Sequence, residues 1–473
     1  MPEVTGHPGI NVIGHVTGNL GLGVLARNVV RTLVRLGYPV AALDVDPGSG
    51  RGRHDMSLAG LTVESQDALP HGINLFVFPA PSLYDLLPTL ERLILDRSRI
   101  NVALPMWELP VLPLGWRSIF EFFDVLVAGS TFIRSALDFS LSDTFVVLGH
   151  QPVFLPEDRD PDRERFGLPP DKVVFLTAYE PQSDPHRKNP HGAVTAFLRA
   201  LSGNPGACLV VKANNAAVGG VEHPSLEELR RLAAGSEQII FLTDDYPYAD
   251  VLGLLASVDV VISLHRAEGL GLVPLEAMGL GKPVIATAWS GNMAYMDHTN
   301  ACLVDYALAA VQESATTYHS LLGGVPALWA EPNLDTAAAW IKKLADDAAF
   351  REALGRKAKQ GMEQYNREAL RGAYLNELEA IYRHRDVLCP KIAERRQRLE
   401  RLHADPGALI KQEGPTTHLA AAVASNRILS DELEGAEARL AELLESTSWR
   451  LTAPLRSIVT SARRLGKKPR QGF

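Results

Sequence analysis

Cysteine is scarce in this sequence. Its 473 residues include 3 cysteines, Cys208, Cys302 and Cys389, odd in number and far apart, which excludes a disulfide framework and a cysteine-built zinc site. A reducing, cytoplasmic setting is the expectation. Long apolar runs are missing too, since no stretch approaches the roughly 18 residues that a membrane-spanning helix needs. No basic segment leads into an apolar run near Gly6 and Pro8, so no secretion signal is expected. Positive charge is not in excess: 47 Lys and Arg stand against 55 Asp and Glu, a formal charge of -8, which argues against a nucleic-acid partner. With 46% hydrophobic and 22% charged residues the chain reads as globular, and its length suits two large domains plus an appendage.

What is present is a rhythm. Short β-branched runs alternate with helical patterns from residue 10 to about residue 288, the signature of parallel sheets covered by helices. The first series predicts strands at 10–16, 40–45, 73–78, 100–104, 125–128 and 145–148. Leu22, Leu25, Val29, Leu33 and Leu36 give the intervening helix one apolar stripe, and Gly37 stops it. A proline-rich, aperiodic stretch at 155–172 reads as a linker. The second series predicts strands at 173–178, 208–212, 239–242, 260–264, 284–287 and 302–304, closed by helices at 334–346 and 350–387.

The expected fold is therefore α/β, with two Rossmann-like doubly wound domains at 1–160 and 170–388. A helical or coiled-coil segment follows at 391–445, then a basic amphipathic tail at 446–473. The tail has no acid and seven cations, Arg450, Arg456, Arg463, Arg464, Lys467, Lys468 and Arg470, beside Trp449, Leu451 and Leu455. Residues 449–470 suit an anionic membrane surface; self-association through 399–444 is the competing reading.

The block Ser263-Leu-His-Arg-Ala-Glu-Gly-Leu-Gly-Leu-Val-Pro-Leu-Glu276 carries the chemistry. It reads as a strand end, a glycine turn, and a helix opening near residues 270–274. Amides at such a helix start, with no Cβ to obstruct approach, suit a diphosphate. Glu268 in the turn and Glu276 on the helix can bracket it and accept bonds from hydroxyls. An isolated pair of this kind also fits a solvated helix residue and a plain tight turn. His265 and Arg266 adjoin the turn, as sugar or phosphate contacts or as structural residues. Tyr246 and Tyr248 stack on a base or pack the next helix.

The complete block resembles the donor-site signature of retaining glycosyltransferases with the GT-B fold, the family often numbered 4, glycosyl transferases group 1, with its polysaccharide-assembly branch. The resemblance implies that Glu268 faces the donor sugar, that the amides of Gly269, Leu270, Gly271 and Leu272 face the diphosphate, and that Glu276 holds the ribose. In Arg187-Lys188-Asn189-Pro190 it implies a basic turn on the donor phosphates. Ala178 and Tyr179 stand where many relatives carry a further arginine.

In the first series, Gly18-Asn-Leu-Gly-Leu-Gly23 is similar to the family's acceptor-side glycine loop, with Gly21 and Gly23 at the cleft. Gly21, Gly23 and Ala26 also satisfy a dinucleotide pattern with Asp44 as its ribose acid, so a nicotinamide-dependent enzyme stays open. The segment Pro105-Met-Trp-Glu-Leu-Pro110 resembles a cleft turn of one branch, placing Trp107 at the cleft and Glu108 at the acceptor hydroxyl. Relatives often use a histidine in this region, and none stands here. The reading is a glycosyltransferase moving a sugar, with retention, from a nucleotide-diphosphate sugar to a glycan or lipid-linked acceptor, without metal or other cofactor. It would act in the cytoplasm or on the membrane's cytoplasmic face. A nucleotide-sugar epimerase and a non-catalytic assembly scaffold are the remaining alternatives.

Overall fold

The computed structural model describes residues 7–45, 55–79, 86, 90–96, 98–113, 116–141, 144–156, 160–218, 220–311, 326–388, 394, 397 and 400. Cys389, and the segments 391–445 and 446–473 but for Glu394, Gln397 and Glu400, lie outside them.

The first sheet is built from β1 (Ile10–Gly14), β2 (Val40–Asp44), β3 (Thr62–Val63), β4 (Ile73–Pro79), β5 (Ile100–Met106), β6 (Val125–Ala128) and β7 (Phe145–Leu148). All pairs are parallel, in the order β3-β2-β1-β4-β5-β6-β7. Continuous apolar strands such as Val-Leu-Val-Ala of β6 are what a sheet buried on both faces requires. A row of buried amides sets the register: Asn11 donates to Asn74 at 2.9 Å and Asn74 to Asn101 at 3.0 Å, across the paired positions of β1, β4 and β5. A slip of one residue would strand these groups on the wrong face.

The second sheet takes β8 (Val173–Tyr179), β9 (Ala207–Ala213), β12 (Ile239–Leu242), β13 (Val260–Ser263), β14 (Val284–Thr287) and β15 (Cys302–Val304), in the order β12-β9-β8-β13-β14-β15. Between β9 and β12 sits a hairpin of β10 (Ala217–Val218) and β11 (Val221–Glu222). After β15 comes an antiparallel ribbon of β16 (Tyr306–Ala310) and β17 (Leu328–Pro332). Neither ribbon is legible in the βα rhythm, because each pairs antiparallel with its own neighbour and joins neither parallel sheet.

Strand order reverses beside β1 in one sheet and beside β8 in the other, and ligands of open α/β sheets bind off the carboxyl ends at such points. Two further differences from the sequence reading concern boundaries. The expected linker is packed: Phe166 and Leu168 join the second domain's core, and Arg163 pairs with Asp259 at 2.6 Å while bonding the carbonyls of Pro169, Pro170 and Lys172. The expected helix 350–387 is broken at Gly372, whose φ of 60° ends the helix Ala348–Ala369 and starts Ala373–Arg383. Tyr374, Leu375 and Leu378 of that second helix lie in the first domain's core, so the chain crosses back before residue 388.

Candidate functional site

A cavity of about 490 Å³ lies where both sets of strand ends meet, with walls from the loops after β1, β5, β8 and β13. Its floor is the predicted turn. Gly271, at φ 81°, caps the helix Leu272–Gly279, so the helix opens two residues later than its earliest expected start. The first amides of that helix have no intrahelical acceptor and its positive pole points along them. Gly269, Leu270, Gly271 and Leu272 all line the cavity, and so do Glu268 and Glu276. The two carboxylates thus share one hollow, as their spacing suggests.

Lys188 and Arg187 stand against Glu268. Lys188 donates to one carboxylate oxygen, and the Arg187 guanidinium lies 3.2 Å from the other. Arg187 is 1% exposed; it also donates to Ala267 O at 2.9 Å and Ser183 Oγ at 2.8 Å, and approaches Glu108 at 3.7 Å. Two left-handed residues aim this pair. Asp184 (φ 63°) caps the short helix Pro185–Lys188, and Asn189 (φ 52°) caps Pro190–Leu201 while donating to Leu264 O at 2.8 Å. Asp and Asn are the side chains that tolerate this region best. Burial pushes the Glu268 carboxyl up, but Lys188, Arg187 and His265 outweigh it and hold the group at about 2. Burial lowers Lys188, against the pull of Glu268.

Among the described residues no cation pairs with Glu276. It accepts a hydrogen bond from Tyr248 at 2.9 Å, and burial raises its carboxyl to about 7 although that bond opposes the shift.

Other expectations divide. Trp107, Glu108 and Gly21 line the cavity; Gly23 does not, because its Cα packs where a Cβ would stand 2.2 Å from Gly18 O. His265 is buried among Ser263, Trp289 and Asn292, which makes it structural. Arg266 turns away to Glu331, at 2.6 Å, and to the Trp329 ring. Tyr246 packs under Lys212 and beside Phe166, so it is Tyr248 that reaches the site. Asp44, the ribose acid of a dinucleotide site, is occupied by the backbone and hydroxyl of Thr17 at 3.1 and 2.6 Å. Sequence reasoning missed Lys212, a buried cavity-lining lysine lowered to about 8 by burial despite Asp245 and Asp244. Its signal was a lone charge in the apolar run Cys-Leu-Val-Val-Lys-Ala at a strand's carboxyl end. Among the described residues no cluster of His, Cys, Asp or Glu is arranged to hold a metal ion, and no helix is long and apolar enough to cross a membrane.

Residues 186–322, which contain Arg187, Lys188 and the turn from Glu268 to Glu276, match the family described as glycosyl transferases group 1. The chain is similar to D-inositol 3-phosphate glycosyltransferase of Mycolicibacterium smegmatis, 29% identical over 156 residues, or 32% of this chain and 34% of that protein. The same-named protein of an Arthrobacter species is 32% identical over 154 residues, 32% of this chain and 35% of its own. The matches thus span about a third of these relatives' length. Among solved structures, HepE of Anabaena in complex with UDP and glucose superposes with a TM-score of 0.56 at 14% identity, over 79% of this chain and 100% of that one. Sucrose-phosphate synthase from Thermosynechococcus elongatus gives 0.55 at 16%, over 80% and 99%. The chain has the GT-B architecture of two facing Rossmann-like domains, and residues 186–322 of its second domain are similar to the glycosyl transferases group 1.

Proposed function

We propose that the protein transfers a sugar from a nucleotide-diphosphate sugar to a hydroxyl acceptor. The observation that carries this reading is the shared cavity: two carboxylates, 268 and 276, on either side of a glycine turn at a helix start, with Lys188 beside them. In this reading the diphosphate lies on the amides of 269–272, Glu276 accepts from the ribose diol, and Glu268 faces the sugar's hydroxyls. Lys188 then exchanges its carboxylate partner for the departing phosphate, where stabilising developing charge is worth most. Arg187, held by Ala267 and Ser183, orients this group rather than swinging to the ligand. Enclosure between the domains excludes water from the transferred centre.

The first domain supplies Leu20, Leu22, Pro79, Met106 and Trp107 to the wall, with Glu108 among them. That wall favours an acceptor with an apolar face and a hydroxyl presented to Glu108, as a glycan ring or lipid-linked sugar has. Retention and independence of metal rest on the family resemblance. Docking on the cytoplasmic face of the membrane rests on the charge of residues 449–470 alone. Flotation with anionic vesicles tests it: the full chain should float and a chain ending at Glu445 should not.

The central experiment is a thermal-shift panel of uridine, guanosine and thymidine diphosphates and their sugars. One base should raise the melting temperature, since a ligand at a hundred times its Kd adds about 2.7 kcal/mol, and Glu276→Ala with Lys188→Ala should abolish turnover in a folded protein. No shift with any member of the panel would overturn the reading.

A further inference from the structure

The turn at 268–271 has its carbonyls tied down from three directions. Glu268 O accepts from the amide of Gly291 at 2.8 Å, and Gly271 O from the Tyr295 hydroxyl at 2.7 Å. Gly269 O accepts from the Ser130 hydroxyl at 2.8 Å, in a buried bond. In a trans peptide the carbonyl of one residue and the N–H of the next point oppositely. Fixing the Gly269 carbonyl therefore fixes the direction of the Leu270 N–H, as the other two bonds fix those of Gly269 and Leu272.

Two of the three anchors belong to the second domain. Ser130 belongs to the first: it follows β6 and caps the helix Thr131–Ser140, accepting from the amide of Ile133 at 3.3 Å. Its oxygen therefore receives one bond and gives the other, the capping bond inside its own domain and the donated one across the cleft. Close approach is built in around it, because a Cβ on Gly269 would stand 2.9 Å from Trp107 O.

We propose that Ser130 is a positioning residue that couples closure of the cleft to the anion site: its donated bond forms only when the domains meet, and that bond orients the Leu270 amide toward the diphosphate. The inference rests on the nucleotide-sugar reading above. The turn is then incomplete in an open molecule and complete in a closed one, so diphosphate binding and closure favour each other.

Three variants of the full chain separate this role from capping. Ser130→Ala removes the cap and the donor, Ser130→Asp keeps a good cap acceptor but has no proton to donate, and Ser130→Thr keeps both. Binding of UDP, GDP and dTDP is measured by calorimetry for each, with closure followed by small-angle X-ray scattering. The wild type and Ser130→Thr should bind the preferred diphosphate within about twofold of each other and contract with it. Both Ser130→Ala and Ser130→Asp should bind about tenfold more weakly and contract less. Wild-type affinity in Ser130→Asp would overturn the proposal, and so would a loss in Ser130→Ala that Ser130→Asp restores, since either leaves only the cap. A wild type that binds none of the three brings down the nucleotide-sugar reading itself, a result distinct from both.

Discussion

Glu268 and Glu276 face one cavity from the two ends of an amide turn, and their surroundings drive their carboxyls apart, to about 2 and about 7. The difference is a difference of partners: two cations for the first, one phenol for the second. Pairs of like groups pushed in opposite directions are a mark of functional sites. A raised carboxyl binds more protons folded than unfolded between its ordinary 4.5 and about 7, so the stability it contributes is full below 4.5 and lost as pH rises through 7. The melting temperature should fall over that window, and Glu276→Gln should flatten the fall. Diphosphate affinity should run the opposite way, rising from pH 6 to 8 as the carboxylate becomes a stronger acceptor for the ribose diol. In Glu276→Gln it should be about tenfold weaker and should rise less between pH 6 and 8, as calorimetry at three pH values would reveal.

Lys188→Met tests the charge carried to the leaving group. Removing one well-placed electrostatic partner of a transition state costs about 10²–10³ in kcat, and single-turnover transfer should show a loss of that order. Glu268, depressed by its cations, contributes stability that is present above 4.5 and lost as pH falls through about 2. Without Lys188 that loss should begin at higher pH, so acid unfolding of the variant is expected to start earlier. Turnover within threefold of the wild type would contradict the assigned role.

Much of this was legible in the chain, for identifiable reasons. Parallel strands buried on both faces write themselves as apolar runs, so the twelve principal strands stand within a few residues of their predicted places. The turn was legible, since Gly269 and Gly271 are needed for close approach and a positive φ. Side-chain direction was not. Tyr246 and Tyr248 are two residues apart and equivalent in sequence, but only the packing of Lys212 over one ring leaves the other to meet Glu276. Arg266 was drawn outward by Glu331, which sits on the ribbon the βα rhythm does not announce. Ser130 lies 139 residues from the carbonyl it bonds, a relationship that only the meeting of the domains creates.

Gly291→Ala should show how tightly the turn is braced from behind. A Cβ there would fall 1.9 Å from Gly269 O and 2.7 Å from the Leu270 amide, both backbone atoms with no freedom to rotate away. The turn must shift, and overpacking of this kind costs about 1–3 kcal/mol. Diphosphate affinity should fall with the melting temperature, because the displaced atoms belong to the proposed anion site. Gly60→Ala, where a Cβ meets nothing within 4 Å, is the control and should leave both unchanged.

The crossing helix Ala373–Arg383 makes the first domain's stability depend on residues far beyond it. Leu378 is fully buried in that domain's core, and Glu379 beside it accepts from Tyr38 at 2.6 Å and pairs with His7 and Arg383. Leu378→Ala removes packing that the surrounding strands cannot easily refill, at a cost of roughly 2–5 kcal/mol. Because the loss falls on the first domain, calorimetry should resolve an early transition that a diphosphate shifts little, while the second domain's transition still moves with the ligand. A single transition, displaced as a whole and fully restored by ligand, would mean that the two domains unfold as one unit and that the helix is not the first domain's own support.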